Sequence, residues 1–193
     1  MAAFTSLRDW LRHLARTERA AFIQPGISLH HRLAAVAKAL DGKQTAIFSE
    51  PDGHKLTVVS GLVSSRAWIA ESLGVSQDQL LDHFEQASLN PLPWREVEQA
   101  PAQQVVHRDV DLLKLLPLPT HAEHDSGPYI SAGLLITRNP QTGIQNVSIN
   151  RCQASGPDRL GVLILPRHAN HYYELAEAAG LSLPVAVVIG VNP

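Results

Sequence analysis

The sequence has a single cysteine, Cys152, so no disulfide can form within the chain. That usage suits a reducing, cytoplasmic setting. It has no apolar run approaching the ~20 residues that span a bilayer. Its first residues, "MAAFTSLRDWLRHL", have the pattern of an amphipathic helix rather than a signal peptide with a long apolar centre. Positive charge is not in excess: 16 Lys and Arg stand against 18 Asp and Glu, for a formal net charge of −2. Nothing therefore argues for a nucleic-acid partner. Walker loops, GxGxxG and GxSxG are all missing. What remains is a globular composition, 45% hydrophobic and 18% charged over 193 residues, enough for one large domain or two small ones.

The periodicity divides the chain. Leu7, Trp10, Leu11 and Leu14 form one helical stripe, with Ser6 and Asp9 spaced as a capping box. "SLHHRLAAVAKAL" carries a second stripe through Leu29, Leu33, Val36, Ala37 and Leu40, with Gly42 as its stop. "TAIFSE" and "KLTVVSGLV" are β-rich, and "PDGH" between them is expected as a hairpin turn. "SRAWIAESLG" predicts a helix, and another follows, capped by Ser76 with Gln79 and carrying Leu80, Leu81 and Phe84. Proline and polar residues in "NPLPWREVEQAPAQQ" mark a linker. From "VVHRDVDLLKLLPLP" onwards strands should dominate: "ISAGLLITR", a turn at "NPQTG", "IQNVSINRCQ", "RLGVLILP" and "PVAVVIGV", with a helix from His168 to Ala179. Hairpin-linked strands favour a barrel or sandwich over a doubly wound sheet. The chain stops at Pro193 directly after an apolar strand, so a fragment of a longer protein is expected.

Several constellations could carry chemistry. His121 with His124, and His168 with His171, have the spacing of zinc ligands, but ten histidines make chance pairs ordinary. "THAEHDSGPY" is equally an ordered loop. Ser64 and Arg66 open a helix whose N–H groups could take an anion, and an ordinary cap explains them as well. Cys152 lacks an evident base and reads as a buried, inert thiol. The strongest candidate is "NVSINRCQ". Asn146 offers a hard oxygen suited to Mg2+ or Mn2+, and Arg151 offers a fork for carboxylate or phosphate. Strict alternation puts those two on opposite faces, so one shared site requires the strand to bend, bulge or end between them. By pattern alone, an ordinary solvent-facing strand stays open.

The run "DLLKLLPLPTHAEHDSGPYISAGLLITRNPQTGIQNVSINRCQ" resembles the central segment of the UbiD-like decarboxylases. The shared features are D-x-G-P-Y-I-x-A-G, T-R-N-P-x-T-G and N-x-S-I-x-R, and "VVSGLVSSRAWIAESLG" resembles the family's first domain. The resemblance implies an α+β chain: an N-terminal α/β domain over residues 1–104, then the opening part of a flavin-reductase-like split β-barrel over residues 105–193. It implies reversible, non-oxidative decarboxylation of an aromatic, heteroaromatic or α,β-unsaturated carboxylic acid, with prenylated flavin mononucleotide (prenylated FMN) as cofactor. A non-catalytic flavin-binding or assembly domain on the same scaffold is the alternative.

The resemblance also assigns roles. Asn146 and His168 would ligate a divalent ion, Mn2+ or Mg2+, bridging to the flavin phosphate; K+ is a further implied ion. Arg151 would bind the substrate carboxylate. Main-chain groups of Ser148, Ile149 and Asn150 would line the flavin. Arg167 stands where relatives carry glutamine or another neutral residue, which would alter cofactor contacts. The third metal ligand and the glutamates partnering the arginine are expected beyond Pro193. A flavin prenyltransferase would supply the cofactor, and a cytoplasmic homo-oligomer is implied, without a membrane span.

Overall fold

The computed structural model describes residues 4–93 and 95–191. Met1–Ala3, Trp94, Asn192 and Pro193, which include the edges of some expectations above, lie outside the described residues. The first helix, α1 (Leu7–Arg16), starts where the sequence places it. The Ser6 hydroxyl accepts the Asp9 N–H at 3.2 Å and donates to the Asp9 carboxylate at 2.6 Å. Trp10 and Leu14 from its stripe are fully buried. A short strand that periodicity did not reveal, β1 (Ala20–Ile23), runs parallel to β2 (Thr45–Phe48). The crossover between them is α2 (Arg32–Leu40), which forms only from Arg32; Leu29 joins the core from the extended residues before it.

β2 also pairs antiparallel with β3 (Val58–Ser60), giving the order β1-β2-β3. The connection between β2 and β3 is longer than a tight hairpin. Pro51–Gly53 form a 3-10 turn inside it, and Asp52 accepts the Leu29 N–H at 2.7 Å, tying the loop to the approach to α2. Next come α3 (Arg66–Leu73) and α4 (Leu80–Leu89). The α3 cap is Ser65, which accepts the Trp68 N–H at 3.2 Å; Ser64 instead donates to the Gly61 carbonyl. Of the α4 apolar residues only Leu80 is buried, while Leu81 and Phe84 face outward.

Two apolar clusters hold this first unit: Leu29, Leu33, Ala46 and Phe48 around the sheet, and Trp10, Leu14 and Trp68 between helices. Beside the second, Arg19 grips Glu71 through two hydrogen bonds of 2.6 and 2.8 Å, its guanidinium 5.2 Å from the Trp68 ring centre. Nearly all of the described residues between 90 and 104 are exposed.

The second half opens on a short helix, α5 (Leu112–Leu115), where strands had been expected. Asp111 caps it by accepting the Leu113 N–H at 3.0 Å. Six strands follow: β4 (Tyr129–Ile130), β5 (Leu134–Arg138), β6 (Gln145–Ile149), β7 (Cys152–Gly156), β8 (Arg159–Val162) and β9 (Val185–Val188), with α6 (His168–Ala178) before the last. They form two antiparallel three-stranded sheets, β4-β7-β8 and β6-β5-β9. Neither sheet closes on itself among the described residues. The overall class is mixed α and β.

Two of the changes from one sheet to the other fall inside a run that the sequence presents as one strand. "ISAGLLITR" breaks at residues 131–133, where a Cβ on Gly133 would lie 2.8 Å from Val187 and 3.0 Å from Ile130. Only glycine lets the corner pack that tightly. "IQNVSINRCQ" breaks at Asn150 and Arg151, so the strand ends between Asn146 and Arg151 as the alternation argument requires. The two halves meet where Thr120 exchanges main-chain hydrogen bonds with Leu29 (3.1 Å) and His31 (2.9 Å).

Candidate active site

In β6 the usual burial pattern is reversed. A strand with one face in water normally turns its apolar residues inward. Here Val147 and Ile149 are exposed, at 53% and 75%, while Asn146 and Ser148 are half-buried. Register explains the reversal: Asn146 lies across from Thr137, and Ser148 across from Leu135, both nearly inaccessible. The Thr137 hydroxyl, directly across from Asn146, is buried there without a hydrogen-bond partner among the described residues. β6 is therefore not an ordinary surface strand.

The end of β6 is pinned. Ser148 donates to the Asn150 side-chain oxygen at 2.8 Å, and the Asn150 amide donates to the Leu163 carbonyl at 3.2 Å. That second bond ties the strand end to the segment leading from β8 into α6. Between them lies a cleft of about 510 Å³, with Asn146 through Arg151 on one wall and Leu163, Leu165, Arg167 and His168 opposite. Every residue to which the family resemblance assigns a role borders this one cleft, whereas His121, His124, His171, Ser64, Arg66 and Cys152 do not.

The far wall is electropositive. α6 has 11 residues, and its N-cap, Arg167, makes no side-chain capping bond, so the first-turn N–H groups and an arginine sit at the same edge. Such a helix start favours an anion. The Asn146 and His168 side chains enter no hydrogen bond or ion pair among the described residues, so their oxygen and nitrogen donors are free. Two donors fall short of a full coordination shell. Among the described residues, no three His, Cys, Asp or Glu side chains are placed to share a metal.

Arg151 is held differently. Its Nη2 donates to Asp125 at 3.2 Å, and its guanidinium carbon lies 4.2 Å from the centre of the Tyr129 ring. Asp125 is fixed in turn by accepting the Ala122 N–H at 3.0 Å. That bond first, and Arg151 next among the favourable contacts, hold its carboxyl below the usual carboxylate range. Nearby, burial lowers the pKa of His121, whose Nδ1 has no partner. Cys152 is fully buried, which raises its thiol pKa and keeps it protonated and unreactive. The sequence reading passed over Asp125 and Tyr129 as loop residues. The available signal was their place in the "DSGPY" stretch, a fixed turn preceding the polar strand.

Comparison with known proteins covers nearly the whole chain. The family model for the 3-octaprenyl-4-hydroxybenzoate carboxy-lyase N-terminal domain matches residues 11–88, and that for the Rift-related domain matches residues 95–193. Anhydromevalonate phosphate decarboxylase of Methanothermobacter thermautotrophicus is 32% identical over 91% of this chain and 41% of its own. An evolved dimeric form of the UbiD-class enzyme HmfF from Pelotomaculum thermopropionicum, in complex with prFMN, superposes with a TM-score of 0.95 at 40% identity, over 98% of this chain and 45% of its own. Apo 3,4-dihydroxybenzoic acid decarboxylase of Klebsiella pneumoniae gives a TM-score of 0.90 at 26% identity, over 98% of this chain and 43% of its own. The chain thus spans less than half the length of these relatives. No helix among the described residues is long and apolar enough to cross a membrane. On sequence and structure together, the chain belongs to the UbiD family.

Proposed function

We propose that the complete protein carrying this chain is a carboxy-lyase that reversibly decarboxylates an aromatic, heteroaromatic or α,β-unsaturated carboxylic acid with prenylated FMN. The observation that carries this reading is convergence. Uncommitted donors on Asn146 and His168, the positive start of α6 with Arg167, and the Arg151 fork all border one cleft. In this reading residues 1–104 are an N-terminal α/β domain, and residues 105–193 open a split β-barrel that carries the flavin. The protein would work as a cytoplasmic homo-oligomer, loaded by a flavin prenyltransferase.

The residues present suit the cofactor. A hard divalent ion such as Mn2+ takes an amide oxygen and an imidazole nitrogen, and Asn146 and His168 offer both. Arg167 and the α6 N–H groups would hold the cofactor phosphate. The backbone at Ser148, Ile149 and Asn150 would border the ring, with the Asn150–Leu163 bond keeping that wall in place. When bound, prenylated FMN supplies the electron sink that loss of CO2 requires and that no protein side chain provides. Arg151 would pair with the substrate carboxylate and fix its orientation.

Two measurements test this. The complete protein, co-produced with a flavin prenyltransferase, should show flavin absorbance and release CO2 from an aromatic or acrylic acid. Arg151→Ala should cut turnover about a hundredfold or more while the flavin stays bound. A protein purified without flavin under those conditions would instead be a scaffold or assembly domain, and near-normal turnover in Arg151→Ala would remove the carboxylate-binding role.

A further inference from the structure

An arginine that recognises a carboxylate must present its fork in one plane, yet Arg151 stands in the break between β6 and β7 with its side chain 54% exposed. Free in water, so long a side chain would sample many rotamers. Two contacts oppose this. The Asp125 carboxylate takes one Nη2 N–H at 3.2 Å, and the Tyr129 ring lies against the guanidinium at 4.2 Å. Both partners are themselves anchored. Asp125 holds the Ala122 N–H, and Tyr129 pairs with Gln153 across β4 and β7, two residues beyond Arg151. Gln153 further donates to Ser126 at 2.9 Å, next in sequence to Asp125.

We propose that Asp125 and Tyr129 are positioning residues for Arg151: ring and carboxylate together orient its guanidinium for an incoming carboxylate. This rests on the carboxylate-binding role proposed for Arg151. The pairing with Asp125 occupies one of five N–H donors, so two parallel N–H groups remain for a bidentate carboxylate. The ring supplies a flat surface that a guanidinium prefers to stack on, and that fixes its tilt. The Asp125 charge also neutralises Arg151 in part, so a substrate meets a pre-oriented fork rather than a bare mobile cation.

The test uses the complete protein loaded with flavin and titrated with benzoate, an unreactive carboxylate probe, following the flavin absorbance. Asp125→Ala and Tyr129→Leu should each weaken benzoate binding about tenfold, with bound flavin and melting temperature little changed. In an Arg151→Ala background, adding Asp125→Ala should change affinity by less than about twofold, since nothing is left to position. In turnover, Asp125→Ala should raise KM more than it lowers kcat, and Asp125→Asn, which keeps an acceptor, should recover part of the loss.

Equal losses in both backgrounds overturn the proposal, because the effect is then structural. Parent-like affinity in Asp125→Ala overturns it too, while weak binding in Arg151→Ala alone would leave the carboxylate role of the arginine standing. Parent-like affinity in Arg151→Ala removes that role and this proposal with it. If Asp125→Ala does not fold, Asp125→Asn and Tyr129→Leu are read by the same criteria.

Discussion

The apolar clusters of the first half and the cleft of the second half place their side chains differently. In the first, Trp10, Leu14, Trp68, Leu33 and Phe48 are gathered into two closed clusters. In the second, Val147, Ile149, Leu163 and Leu165 stand in water along the cleft, and the polar Asn146 and Ser148 turn inward. The first half, closed around these clusters, gains most of its stability from their burial. The second half, open along this cleft, leaves the Asn146 and His168 side chains without a protein partner among the described residues.

The sharpest way to break that comparison is to damage the closed half. Phe48 is fully buried in β2 against Leu29 and Leu33. Phe48→Ala should destabilise the chain by about 3–5 kcal/mol, read by chemical denaturation. A loss below about 1 kcal/mol would mean that this cluster is not where the stability lies. The matching change in the open half is His168→Ala. It removes an exposed side chain that holds no protein partner, so stability should move by less than about 0.5 kcal/mol. Bound Mn2+ and flavin in the complete protein should nevertheless fall together, by about tenfold or more. Metal analysis that finds no change would take His168 out of the site.

The same contrast decides what could be read from sequence. α1 and α6 were legible because their signals are local: a Ser6–Asp9 cap, and an amphipathic run stopped by Gly180. β1 was not, since Ala20–Ile23 is four residues long and owes its state to pairing with β2. α5 is a single turn, too short for a period to show. The corner at Gly133 depends on Val187, and Asp125 finds Arg151 26 residues later, so neither contact leaves a mark in its own stretch. The break after Ile149 could be foreseen, because alternation forbids Asn146 and Arg151 from sharing a site on an unbroken strand. That the partner wall comes from Leu163 to His168 was legible only through the family resemblance, because the packing of α6 on β5 and β6 and the Asn150–Leu163 bond join residues far apart in sequence.

The smallest effect expected concerns acid, and it again singles out the closed half. Glu71 is pushed down to about 2 from 4.5, first by its hydrogen bonds from Arg19, then by His13. A carboxyl depressed in the folded state adds stability above its unfolded value and loses it as pH falls towards the folded one. The contribution of the Arg19–Glu71 pair should therefore be complete above about pH 5 and fade between about 4.5 and 2. Its size is limited, because the Glu71 side chain is 38% exposed and water screens the pair, leaving about 1 kcal/mol or less. Glu71→Gln should remove this much at pH 7 and flatten that part of the acid limb in denaturation curves taken at stepped pH. An unchanged acid limb in Glu71→Gln would assign the loss to other carboxylates, with Asp125 beside Arg151 the one to examine in the open half.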